Sequence, residues 1–179
     1  MTPLLQNDNI TLRAFIPKDL TTFADYRGNP DIAKYQSWTE YSLADAQQLF
    51  KQTDYDTFGT PEKWFQLAIA KRCSNELLGD LAVHFIDNQQ VEIGFTIAPA
   101  HQQTGIATQA MQLLLDYLFN ACNKHRVIAI TDTRNTPSCK LLEKLGFRRE
   151  AHFVKNIFFK GEWGDEFQYA ILRKEFGGE

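Results

Sequence analysis

At 179 residues the chain fits one domain with a sizeable core. Hydrophobic residues make up 44%, with 14 Phe among them, which excludes wholesale disorder and points to aromatic packing. The net charge of -3 excludes a basic nucleic-acid footprint and suits a cationic substrate such as an amine.

The opening residues carry neither a basic n-region nor an apolar h-region, and no apolar run approaches the roughly 20 residues that span a bilayer. No membrane partner is expected. The three cysteines, Cys73, Cys122 and Cys139, are odd in number and widely spaced. They suggest neither a disulfide framework nor a metal site, so a reducing cytoplasm is the expected location.

Residues 9–15 alternate apolar and polar and predict a first strand. Pro17 and Asp19 open a short helix that ends at Gly28-Asn29-Pro30. Residues 31–41 are aromatic and irregular. Ser42 with Asp45 makes an imperfect capping box for a helix to about Asp54, followed by a loop over 56–61. Three strands follow at 64–71, 77–86 and 90–97, and their short turns imply antiparallel hairpins.

Residues 105–122 carry apolar side chains at helical spacing. A β-branched run at 126–131 predicts a buried strand. A helix over 135–145 stops at Gly146. Two strands, 151–159 and 166–172, close the chain around Lys160-Gly161-Glu162-Trp163. The order predicts a single domain over 1–179, of mixed α/β (α+β) class. Its sheet has seven strands, is mostly antiparallel and is flanked by helices.

The most informative stretch runs from Gly94 to Thr108, strand to loop to helix. A loop entering a helix presents unpaired N–H groups in the positive field of the helix dipole, which suits phosphate. Gly105 and Ala107 are small enough to let phosphates approach the main chain. No Walker lysine and no GxGxxG spacing accompany them, which disfavours a nucleoside triphosphate or a dinucleotide. The bland alternative is that Gly105 only permits a tight turn. A second stretch places Asn135, Pro137 and Ser138 at a helix start. Taken alone, these are capping residues.

Together the two stretches resemble the GNAT superfamily of N-acetyltransferases. The family's loop, Gln/Arg-x-x-Gly-x-Gly/Ala, matches Gln102-Gln103-Thr104-Gly105-Ile106-Ala107. Asn135, Ser138 and Leu145-Gly146-Phe147 resemble the branch of ribosomal-protein N-terminal acetyltransferases, as do Leu12-Arg13-Ala14 and Gly161-Glu162-Trp163. Gln103 departs from the pattern, where the family often has Gly.

The resemblance implies an acyl-CoA N-acyltransferase-like sheet, splayed between strands 90–97 and 126–131. It also implies transfer of acetyl from acetyl-CoA to a primary amine, for which a protein or peptide N-terminal α-amine is one candidate. Phe95, Thr96 and Ile97 would pair with the pantetheine arm, and Asn135 would touch the cofactor. Gln102, Gln103, Thr104, Gly105, Ile106, Ala107 and Thr108 form the loop for the pyrophosphate. Ser138 would protonate the departing thiolate. Glu92, on one strand face with Gly94 and Thr96, is the candidate base, or else a solvated strand glutamate.

Tyr117 and Tyr169 are alternative acids, though both fit core patterns. Tyr35, Trp38 and Trp163 are candidates for the acceptor wall, or else edge cover for the core. His84 and His101 read as surface or loop residues, and no metal is implied. Small amines such as polyamines or aminoglycosides are alternative acceptors. A non-catalytic acyl-CoA-binding module on the same fold is the rival reading. The protein is expected as a monomer or a homodimer.

Overall fold

A computed structural model describes residues 1–177. Its frame is one eight-stranded sheet. The strands are β1 (Leu5–Gln6), β2 (Ile10–Ala14), β3 (Lys63–Lys71), β4 (Leu77–Phe85), β5 (Gln90–Ile97), β6 (Arg126–Asp132), β7 (Arg148–Phe159) and β8 (Glu162–Leu172). Their order is β1-β2-β3-β4-β5-β6-β8-β7. Every neighbouring pair is antiparallel except β5 and β6.

The expected architecture is present with one strand added. That strand, β1, is two residues paired with Leu12 and Thr11, too short to show any alternation. The last hairpin is tighter than expected. Lys160 (φ 54°) and Gly161 (φ 84°) alone make the turn, and Phe159 pairs with Glu162. Two consecutive positive φ angles match the right-handed twist of the flanking strands. Glu162 and Trp163 therefore stand on β8 rather than in a loop.

The helices are α1 (Leu20–Arg27), α2 (Pro30–Ala33), α3 (Leu43–Gln52), α4 (Ile106–Asp116) and α5 (Thr136–Lys144). The short α2 starts at Pro30, read as part of a helix stop, and runs into the stretch read as irregular; Asn29 caps it, its side chain accepting from the Asp31 N–H. The Ser42–Asp45 capping box forms as expected at α3. The helix expected to reach residue 122 changes to a π-helical turn at Tyr117–Ala121, where the Cys122 N–H reaches the Tyr117 carbonyl.

The two sheet faces are covered differently. On one face α4 buries Ala110, Met111, Leu114 and Leu115 against Leu67, Leu81, Val83, Phe85, Val91 and Ile93. Each such Leu or Met contributes roughly 1.5–3 kcal/mol on burial. The opposite face is covered at one end by α1 and α3, where Phe23, Tyr26 and Ala46 meet Ala68, Leu77 and Ala98. The rest of that second face stays open, and the site forms there. Among the described residues no helix is long and apolar enough to cross a membrane.

Candidate active site

The parallel pair β5–β6 is hydrogen-bonded only at its start. Gln90, Val91 and Glu92 pair with Arg126, Val127 and Ile128, and the strands then part. From Ile93 to Ile97, β5 keeps its antiparallel partner β4 but has none on the β6 side. The expected splay is present. It leaves main-chain donors and acceptors of β5 free along one edge, which is where an extended amide-bearing chain can pair. β4 holds the other edge closely. A Cβ on Gly79 would collide with the Thr96 carbonyl, so only glycine fits there.

A cleft of about 720 Å³ passes through this opening. Glu92, Phe95 and Thr96 of β5 line one side, and Asn135 and Ser138 at the start of α5 line the other. Tyr35 and Trp38 line it from the segment after α2. Seven residues singled out in the sequence, from three separate segments, thus share one cavity of ligand size.

The remaining site candidates lie beside it. Ile97 is 8% exposed at the end of β5. Gln102 to Gly105 form an exposed loop after it, tied back by the Gln102 side-chain amide donating to the Ile97 carbonyl at 3.1 Å. Gly105 caps α4 at φ 80°, and a Cβ there would meet nothing within 4 Å. The first helical bond is from the Gln109 N–H to the Gly105 carbonyl. The N–H groups of Ile106, Ala107 and Thr108 precede it and face the helix mouth. Gln103 also sits in the left-handed region, at φ 60°. A residue with a Cβ is strained there, which explains why glycine is the easier choice at this position. The loop and splayed strand suit a phosphate head and an amide-bearing arm without any lysine.

Asn135 and Ser138 have different duties. The Asn135 side chain accepts from the Ser138 N–H at 3.4 Å, a first-turn cap. Ser138 lines the cleft, and its hydroxyl makes no hydrogen bond among the described residues. Trp163 does not line the cleft. It is 55% exposed and packs on Phe158, which lines the cleft with Phe159 in its place. Tyr169 is fully buried and donates to Glu143 at 2.9 Å, a core position, and Tyr117 packs against the α4-side core. Neither lines the cleft.

Several lining residues escaped the sequence reading because strands far apart in the chain deliver them. Trp64 and Gln66 come from β3, Asp80 from β4, Asp132 from β6 and Glu166 from β8. Arg27, at the end of α1, reaches the floor and pairs with Asp80 at 3.2 Å. Tyr26 donates to the same carboxylate at 2.6 Å, and Gln66 donates to its other oxygen. Burial first, then the Asp80 charge, push the Tyr26 hydroxyl well above the usual tyrosine range. The Arg27 guanidinium lies 4.3 Å from the Trp38 ring and 4.4 Å from that of Phe23, a cation–π stack that fixes Trp38 as a wall.

The roof is tied from both sides. The Tyr35 hydroxyl donates to the Arg134 carbonyl at 3.2 Å, and Lys160 of the last hairpin donates to the Ala33 carbonyl.

Charge in the cleft is uneven. Asp80 is matched by Arg27, and Asp132 by Arg134 at 2.8 Å. Burial raises the Asp132 carboxyl, but the Arg134 hydrogen bonds outweigh this and hold it low. Among the described residues Glu166 has only a neutral amide partner, Asn156. Glu92 faces His84 across the β4–β5 pair, with the imidazole Nδ1 3.6 Å from its carboxylate. His84 is therefore a strand residue on the open sheet face, not a loop histidine. The cleft thus has two carboxylates without a guanidinium partner, beside aromatic walls.

Residues 9–148 match the family model described as an acetyltransferase (GNAT) domain. The Bacillus subtilis (strain 168) chain YnaD, named an uncharacterized N-acetyltransferase, is 31% identical over 93% of this chain and 95% of its own. Spermidine N(1)-acetyltransferase of Vibrio cholerae is 27% identical, over 95% of this chain and 96% of its own. A GNAT-family acetyltransferase from Bacillus anthracis superposes with a TM-score of 0.87 at 29% identity, covering 97% of this chain and all of the other. The Vibrio cholerae spermidine N-acetyltransferase, solved with CoA and spermine, gives 0.82 at 25% identity over 94% of this chain and 98% of its own.

Proposed function

The chain belongs to the GNAT acetyltransferase family and is an N-acetyltransferase that uses acetyl-CoA, and from that premise we propose that its acceptor is a small primary amine carrying a second positive charge. The observation that carries this reading is the pair of carboxylates, Glu92 and Glu166, without guanidinium partners in one aromatic-walled cleft. A dication gains from both, and the rings of Trp38, Trp64 and Phe158 add faces for its ammonium groups. The spermidine acetyltransferases among the relatives support the same class.

Acetyl-CoA, when bound, supplies the thioester that the amine attacks. The residues of this chain supply position and protons. The free edge of β5 from Ile93 to Ile97 would hold the pantetheine amides, the N–H groups of Ile106, Ala107 and Thr108 would hold the pyrophosphate, and Asn135 would border the arm from α5. The attacking nitrogen must be neutral, and a polyamine ammonium resembles lysine, with a reference pKa near 10.4. Glu92 takes that proton, directly or through one water. Ser138, on the other side of the cleft from Glu92, gives its proton to the sulfur as it leaves and is reprotonated by the second proton that the nitrogen sheds as the amide forms. Holding the two reactants together between β5 and α5 supplies much of the remaining rate.

A second acceptor, a peptide N-terminal α-amine, draws support from the edge position of β7. Ile157, Phe158 and Phe159 of this strand line the cleft while its outer edge is open to an added peptide strand. Acetylation of matched panels of diamines, polyamines, aminoglycosides and short peptides decides between them. The expected order of kcat/KM places polyamines first, with a loss for monoamines of equal length. Equal rates on peptides and polyamines would overturn the dication reading.

A further inference from the structure

We propose that His84 is the group through which Glu92 sheds the proton taken from the amine. This rests on Glu92 acting as the base. An acceptor in the cleft covers the side of Glu92 that faces the cavity, so the proton must leave on another side. His84 stands directly opposite on β4, in register with Glu92. Its Nδ1 is closed off from water, has no hydrogen bond, and lies 3.6 Å from the Glu92 carboxylate. A buried nitrogen without a partner is costly, and such exceptions in native structures call for a reason. The side chain is 23% exposed, and Nε2 is not shut off in the same way, so the ring spans from Glu92 to solvent. Trp64, opposite His84 on β3, stacks on the imidazole at 4.6 Å with the planes 8° apart and fixes the ring.

The step balances as follows. The ammonium N–H bond breaks and a Glu92 O–H bond forms, leaving the amine neutral. The Glu92 O–H bond then breaks as the Nδ1 lone pair of neutral His84 takes the proton, and the Nε2 proton passes to water. Glu92 is again a carboxylate and His84 is neutral with its proton now on Nδ1; a flip of the ring and proton exchange with water return the Nε2–H form before the next turnover. The 3.6 Å gap is longer than a hydrogen bond, so the two side chains must close by a few tenths of an ångström for the proton to cross. Trp64 from β3 and Glu92 from β5 are the groups that flank the ring across the sheet.

Three variants test this with acetyl-CoA and the best amine of the panel. His84→Phe keeps the stack on Trp64 and removes both nitrogens. His84→Ala has no proton path and leaves the ring's place vacant for free imidazole. Both should lower kcat by at least about tenfold, less than the roughly 100-fold or more of a direct acid or base because His84 acts through Glu92, with KM for amine and acetyl-CoA unchanged. Free imidazole should restore turnover of His84→Ala in proportion to its concentration. Glu92→Gln is the control. If it is slow while both His84 variants turn over normally, or if their loss appears in KM and imidazole does not rescue it, His84 is a packing residue and the relay is wrong. If Glu92→Gln keeps full turnover, the base assignment itself falls, and the relay with it.

Discussion

The Asn135 carboxamide accepts a hydrogen bond from the Ser138 main-chain N–H, which leaves the hydroxyl of Ser138, a residue lining the cleft, outside the cap. Capping and chemistry at this helix start therefore belong to different atoms. Ser138→Ala should keep the melting temperature within a degree or so of wild type, since the cap uses only the main chain. Turnover should fall about 100-fold or more, the usual worth of a general acid, with CoA affinity unchanged. Single-turnover acetylation beside thermal melts checks this. Preserved turnover would show that a group other than Ser138 protonates the sulfur.

Asn135→Ala is the complementary case. It removes the cap and should cost about 1 kcal/mol of stability, read from urea unfolding midpoints. An unchanged midpoint would mean that the 3.4 Å bond contributes nothing.

Gly105→Glu should abolish CoA binding while the chain still folds. The position is open, so the side chain meets no neighbour, but φ 80° strains any residue with a Cβ. The new carboxylate stands at the mouth of α4 and repels the phosphates. Gly105→Ala separates the two effects, because it carries the strain without the charge. Calorimetric titration with CoA reads both. Full CoA affinity in a folded Gly105→Glu protein would place the pyrophosphate elsewhere.

The parts of the site that were legible in the sequence are contiguous ones. Gln102 to Ala107 and Asn135 to Ser138 each declare a helix start within a few residues, and local spacing is enough to find them. The cleft's floor and charge were not legible. Asp80, Asp132 and Glu166 are single polar residues on three strands, and only the sheet order brings them to one face. His84 looked like a surface residue because nothing in the sequence reports that it pairs with Glu92. The short elements were lost for a different reason, since β1 and α2 span two and four residues, less than one period of any pattern.

Asp80→Ala should destabilise the protein by about 3–5 kcal/mol, the cost of leaving a buried charge unpaired. Arg27 would remain among Phe23, Trp38 and Tyr41 with no counter-ion. Arg27, which stacks on Trp38, loses the carboxylate that holds it in the same change, so amine KM should rise in whatever fraction folds. Chemical denaturation measures the first effect. A loss under about 1 kcal/mol would show that the cation–π stack alone is enough.

Acid stability should depend on Glu150. Hydrogen bonds from Arg126, assisted by Arg148, hold its carboxyl down to about 2 from a reference of 4.5. A carboxyl depressed in the folded state contributes stability above its unfolded value and loses it as the pH falls through the folded value. The contribution should fade between about pH 4.5 and pH 2, and it is reduced by solvent screening at this partly exposed site. Glu150→Gln should flatten the stability–pH curve in that window and lower stability at neutral pH. An unchanged curve would mean that the Arg126 pair is formed equally in the unfolded chain.

The most direct test of the whole account is free-thiol release from acetyl-CoA, followed with and without a polyamine and matched to acetylated product by mass. Amine-dependent release, one thiol per acetyl group transferred, collapsing in both Glu92→Gln and Ser138→Ala, is the predicted result. Tight CoA binding with no amine-dependent thiol release across the panel would contradict it and leave the cleft a non-catalytic acyl-CoA site.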